Sequence, residues 1–98
     1  MTLTNRQTHH LRSLAHHLKP ILMVGGKGIT DNLLAELNRA LEDHELIKVT
    51  IAGADKKERR TLTETLCQSS GAVLVQIIGR ISVLYRPKKK PKLVIPKL

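Results

Sequence analysis

Apolar residues recur along this chain with two periods, and the switches between them mark out seven elements. Leu11, Leu14, Ala15 and Leu18 fall at helical spacing and make one stripe up to Lys19. Thr4 and Gln7 precede it at the spacing of a capping box, with Thr4 as N-cap. Pro20 has no N–H and disfavours helical backbone at Lys19, so the first helix stops there. Ile21 to Val24 are four consecutive apolar residues, which suits a short strand covered on both faces. Thr30 then fits an N-cap, and Leu33, Leu34, Leu37, Ala40 and Leu41 define a second helix from Asp31 to Asp43.

From Leu46 the period becomes two. Ile47, Val49 and Ile51 face one way and Lys48 and Thr50 the other, in a strand that reaches Ala52. Asp55 and Glu58 repeat the capping-box spacing ahead of a third helix, whose buried stripe is Leu62, Thr63, Leu66 and Cys67 and whose stop is Gly71 after Ser70. Two strands follow, Ala72–Ile78 and Ile81–Tyr85. Val73, Val75 and Ile77 share one face of the first, and Ile81, Val83 and Tyr85 share one face of the second. Gly79-Arg80 between them fits a type II′ turn. The order α-β-α-β-α-β-β predicts one small α/β domain, a four-stranded mixed sheet with helices packed on it. It occupies residues 1–87, and residues 88–98 form a basic tail broken by prolines.

Charge changes the picture from fold to partner. The chain carries a formal +9 over 98 residues, which points to a polyanion. Of 17 basic residues six lie from Arg86 to Leu98, leaving eleven against eight acids and a body of only +3. That body is polarised. Residues 1–30 hold Arg6, Arg12, Lys19 and Lys27 and no acid, whereas residues 31–45 hold Asp31, Glu36, Glu42, Asp43 and Glu45 against Arg39 alone. Tyr85 is the only aromatic residue, so no platform for stacking unpaired bases can be built. A nucleic-acid partner would be held by backbone charge and shape.

Gly25-Gly26-Lys27-Gly28 is the candidate site. It sits between a strand and a helix N-terminus, where backbone N–H groups can approach an anion closely and Lys27 adds a full charge. The spacing is not that of a P-loop, because Gly28 follows the lysine, nor that of a dinucleotide fingerprint, because position 31 is Asp31. What remains is the short Gly-x-x-Gly form of loops that clamp an RNA backbone. Taken alone, glycines between a strand and a helix are usually just turn residues. Arg6, Arg12 and Lys19 are candidates to widen the footprint. Lys56 and Lys57, with Arg59 and Arg60, crowd the start of the third helix, where cations oppose the dipole; they are either solubilising surface or an anion site.

Other chemistries find little support. His9, His10, His16 and His17 contain no pair at i, i+3 or i+4, so no metal site is expected. No cofactor motif, catalytic triad or acid pair is visible, and Cys67 falls on an inner helix face, so an enzyme is not expected. No run approaches the ~18 apolar residues of a membrane helix, the N-terminus lacks a secretory segment, and a lone cysteine favours a reducing cytoplasm. Two rivals remain: a protein-binding module docking a partner through the acidic second helix, and a DNA binder without a recognisable base reader.

Four fragments carry a resemblance. Leu18-Lys-Pro20, Val24-Gly-Gly-Lys-Gly-Ile-Thr30, His44-Glu-Leu-Ile-Lys-Val49 and Ile78-Gly-Arg-Ile-Ser-Val-Leu-Tyr-Arg-Pro87 occur in that order. Together they resemble the CRM domain (chloroplast RNA splicing and ribosome maturation) in its bacterial stand-alone YhbY form, over residues 3–87. The resemblance implies an RNA-binding fold similar to the C-terminal domain of translation initiation factor three. It also implies ribosomal RNA and large-subunit precursor particles as partners, with ribosomal or translation proteins as the partners of the rival protein-binding module, and with no small-molecule substrate and no membrane; a cytoplasmic monomer is expected. The family's Gly-x-x-Gly loop maps onto Gly25, Gly26, Lys27 and Gly28, and the tail beyond Pro87 has no counterpart in the motif.

Overall fold

Three helices and four strands alternate along the chain in a computed structural model that describes residues 2–88. They are α1 (Asn5–Ala15), β1 (Pro20–Val24), α2 (Asp31–His44), β2 (Leu46–Ile51), α3 (Lys56–Ser70), β3 (Val73–Ile78) and β4 (Ile81–Tyr85). The basic tail lies outside the described residues, apart from Lys88.

Local chemistry starts each helix. Thr4 and Gln7 form a full capping box on α1, side chain to backbone in both directions at 3.0 and 3.1 Å. Thr30 accepts from the Leu33 N–H at 3.1 Å, and Asp55 from the Glu58 N–H at 2.8 Å. Each such cap contributes about 1 kcal/mol. At Asp55 only this forward half of the box forms.

The strands form one sheet in the order β1-β2-β4-β3. β1 and β2 are parallel, and β4 enters antiparallel between β2 and β3. Both helix crossovers therefore join parallel strands. Gly79 takes φ 57° while Arg80 stays out of the left-handed region, the sign pattern of the expected type II′ turn. One face of the sheet carries α2 over β1 and β2 and α3 over β2 and β3, around a core that includes Leu37, Leu41, Val49, Ile51, Leu66 and Leu84. Among the described residues the other face carries α1 alone, packed through Leu11 and Ala15 on Leu46, Val75, Val83 and Tyr85.

Four expectations change. First, α1 ends at Ala15 rather than Lys19; His17 and Leu18 donate to Leu14 and Ala15 in a tightened last turn, and Leu18 is exposed. The chain must reverse into β1, and the extended backbone that Pro20 imposes on Lys19 takes up the remaining residues. Second, β1 is an edge strand covered on one face only. Leu22 and Val24 point into the core, while Ile21 and Met23 are 47% and 61% exposed because α1 is too short to reach them. Third, a bulge between Leu74 and Gln76 breaks the alternation of β3. Val73 and Val75 keep to the α1 side, but Ile77 pairs with Ser82 on the α3 side, since an extra residue inverts every later side chain. Fourth, the buried stripe of α3 is Thr63, Leu66 and Ser70, with Leu62 and Cys67 only partly covered. The Thr63 hydroxyl meets the Ser82 hydroxyl at 2.7 Å and donates to the Arg59 carbonyl at 2.8 Å, so a buried polar pair ties α3 to β4.

Candidate nucleic-acid interface

Three connections meet at one end of the sheet: the loop from Gly25 to Thr30 after β1, the segment from Ala52 to Asp55 after β2, and the Gly79-Arg80 turn. Parallel β1, β2 and β3 all finish there, which is where α/β sheets place their ligands. Two backbone bonds stitch the connections, Ala52 N–H to Val24 carbonyl at 3.0 Å and Ile51 N–H to Arg80 carbonyl at 2.7 Å.

Within the first loop the Gly28 N–H donates to the Gly25 carbonyl at 3.0 Å, closing a tight turn with Lys27 at its tip. Gly28 takes φ 69°, a conformation that itself calls for glycine. Gly25 and Gly26 are different. Both are exposed, neither has positive φ, and a Cβ on either would meet nothing within 4 Å. The fold gives no reason for glycine at those two positions. Backbone there lies bare to solvent.

Behind the loop stands the N-terminus of α2. Its first backbone bond runs from the Leu34 N–H to the Thr30 carbonyl, so the Asp31 and Asn32 amides precede it as orphan donors. A shallow hollow joins these groups, lined by Met23, Gly25–Gly28, Thr30, Asn32 and Glu36. Glu36 and Asp31 make the α2 flank of this hollow acidic. The other flank, toward α3, is basic: Lys56, Lys57 and Arg60 are exposed, and Arg59 donates to the Ala54 carbonyl at 2.7 Å.

The structure thus brings the Gly25–Gly28 loop, Lys56 and Lys57 to one end of the sheet. It does not bring Lys19 there, which precedes β1 at the opposite end beside Leu14 and His44. Arg6 and Arg12 ride on α1, across the sheet from α2 and α3; Arg12 lines a depression with His16 and Lys48 over the half of the sheet that α1 leaves open. Sequence reasoning did not select Arg80 or Lys48. Lys48 carried a signal, its place among the polar positions of β2, whereas Arg80 needed the strand order to be placed at this end of the sheet.

Arg86 pairs with Glu42, whereas among the described residues no carboxylate lies within ion-pair distance of Lys27, Lys56, Lys57, Arg60 or Arg80. Cys67 offers no reactive thiolate. Burial, helped by the nearby Glu64 charge, pushes its thiol up to about 11. Among the described residues no His, Cys, Asp or Glu group could hold a metal ion, and no helix is long and apolar enough to cross a membrane.

Fold and site together define a small α/β domain that presents glycine-lined backbone and unpaired cations at one sheet end, an arrangement for polyanions. The chain belongs to the CRS1 / YhbY (CRM) domain family, whose model matches residues 3–86. It is 45% identical over 96 residues to a protein of Haemophilus influenzae named "RNA-binding protein", covering 98% of this chain and 97% of that one. A Pseudomonas aeruginosa protein named as a probable RNA-binding protein is 50% identical over 91 residues, covering 93% and 88%. The solution structure of a Staphylococcus aureus protein, described as a candidate RNA-binding protein, superposes with a TM-score of 0.84 at 38% identity, covering 97% of this chain and all of that one.

Proposed function

We propose that this protein grips the backbone of structured ribosomal RNA through the Gly25–Gly28 loop, in the service of large-subunit assembly. The observation that carries the reading is glycine at positions 25 and 26 with negative φ and open space around them, flanking an unpaired lysine. Phosphate oxygens need such a surface: N–H donors that no side chain screens, and a charge at the tip. Lys27 supplies the charge, and the loop and α2 amides supply direction. The relatives named for RNA binding support RNA as the polyanion, and the family resemblance supports the ribosomal precursor as its source.

The rival reading, docking of a protein on acidic α2, loses part of its surface. Glu45 is buried at 1% exposure and Glu42 is held by Arg86, which leaves Asp31, Glu36 and Asp43. Sedimentation of tagged protein from lysate, with and without ribonuclease, separates the two. Wild type should travel with large-subunit precursors until the RNA is digested, and Lys27→Ala and Gly28→Asp should travel less, with Gly28→Ala controlling for backbone strain. Ribonuclease-resistant co-migration favours the protein-docking reading. Folded Lys27→Ala and Gly28→Asp that co-migrate like wild type reduce the loop to a turn.

A further inference from the structure

A second cationic surface stands across the same sheet end. A groove of about 870 Å³ opens between the first turns of α3 and the end of β3, lined by Lys56, Lys57, Arg59 and Arg60 with Ile77 and Gly79 at its floor and rim. Its one acid, Glu64, forms no ion pair with any of them. Four cations within five residues at a helix N-terminus oppose the dipole and repel one another, and only the N-cap Asp55 and Glu58 offset them locally. Arg59 is further constrained: one guanidinium nitrogen is fixed on the Ala54 carbonyl, while its Nε is shielded from solvent without a partner. The crowded cations and the unpartnered Nε work against the isolated fold, and an anion in the groove would offset the crowding.

The surroundings of the glycine loop indicate how the two surfaces relate. On the α2 side, Asp31 and Glu36 repel a polyanion leaving the loop; on the α3 side, Lys56 and Lys57 attract it. From β1 to β3 there are three inter-strand steps of about 4.8 Å, so the seats lie ~14 Å or more apart on a rigid sheet. Flexible single strands lose conformational entropy when two separated points are pinned, and here they gain no stacking in return, because the one aromatic ring, Tyr85, is buried. A duplex presents phosphates at fixed spacing without that loss and is read by shape.

We propose that the groove between α3 and the β3–β4 turn is a second phosphate seat, and that one double-stranded RNA segment spans this groove and the glycine loop together. The inference rests on the loop reading and adds the partner's secondary structure to it. The test uses the full chain with an RNA duplex of about 16 bp and its separated strands. Affinity is measured over a salt series for wild type, Lys27→Ala, and the triple variant Lys56→Gln/Lys57→Gln/Arg60→Gln. Removing cations that oppose the dipole should leave the triple variant at least as thermostable as wild type. Its duplex affinity should fall about tenfold or more, and its log–log salt slope should flatten by roughly 2–3, near 0.9 for each phosphate no longer neutralised. Wild type should bind the duplex more tightly than either strand. If Lys27→Ala weakens binding and the triple variant does not, the groove is only surface and the second seat is overturned while the loop reading stands. If the triple variant weakens binding and Lys27→Ala does not, the loop reading fails and the spanning arrangement with it. Tighter binding of single strands than of duplex overturns the choice of partner.

Discussion

Both ends of the sheet carry cations, but the fold supplies a partner at one end only. At the end where β1, β2 and β3 finish, Lys27, Lys56, Lys57, Arg60 and Arg80 form no ion pair among the described residues. At the other end both terminal nitrogens of the Arg86 guanidinium are occupied. It donates to the Ser70 carbonyl at 2.7 Å, the Asn38 carbonyl at 3.2 Å and the Asn38 side chain at 2.8 Å, and pairs with Glu42 at 3.2 Å. One guanidinium thereby gathers the C-terminal halves of α2 and α3 against the chain leaving β4. Glu45, buried and held at φ 63° as the cap of α2, accepts from the Arg86 and Lys88 amides through its carbonyl and carboxylate. Counting basic residues does not separate these roles. What separates them is whether the fold already supplies the counter-charge.

The contrast can be broken most forcefully at the packed end. Arg86→Ala strips partners from the Ser70 and Asn38 carbonyls and should lower unfolding free energy by about 1–3 kcal/mol, read by denaturant titration. RNA affinity of the folded fraction should stay unchanged. A smaller effect sharpens the loop's own asymmetry. Gly28→Ala forces a Cβ into positive φ and should destabilise by roughly 1 kcal/mol, whereas Gly26→Ala should be neutral or slightly stabilising in the same titration. Gly26→Ala should nonetheless weaken RNA binding, because it roughens the surface that the phosphate approaches.

Lys27→Ala should move stability by less than about 0.5 kcal/mol, since the side chain has no partner to lose. The smallest effect concerns Cys67, which belongs to neither end. With its thiol raised from 9.0 to about 11, alkylation near pH 8 should run about 100-fold slower than for a free cysteine. The sign for stability follows from linkage. Above the unfolded value near 9 the unfolded thiol ionises first, so this group's contribution is lost as pH rises from there to about 11. Rapid alkylation of folded protein would show the site to be open.

Much of this architecture is legible in the chain because local signals agree with the fold. Thr4, Thr30 and Asp55 begin their helices, Gly71 ends α3, and Gly79-Arg80 turns the hairpin as their spacing indicates. The misreadings share one cause, the absence of tertiary information. Four apolar residues in β1 look buried until the length of α1 shows that nothing covers Ile21 and Met23. Alternation in β3 looks regular because a bulge leaves no mark on composition. Arg86 looks like the start of a basic tail until Asn38 and Ser70, 48 and 16 residues away, are brought to it. The glycine loop is visible as a motif, but that the fold leaves Gly25 and Gly26 unconstrained is visible only in the structure.

The most direct test of the account is an amide-resolved NMR titration of the whole chain with an RNA duplex of about 16 bp. Perturbed amides should cluster at Gly25–Asn32, Gly53–Lys57 and Gly79-Arg80, and those of Glu45, Tyr85 and Arg86 should stay in place. The largest shifts falling instead along the exposed face of α2, or around Glu45 and Arg86, would contradict it.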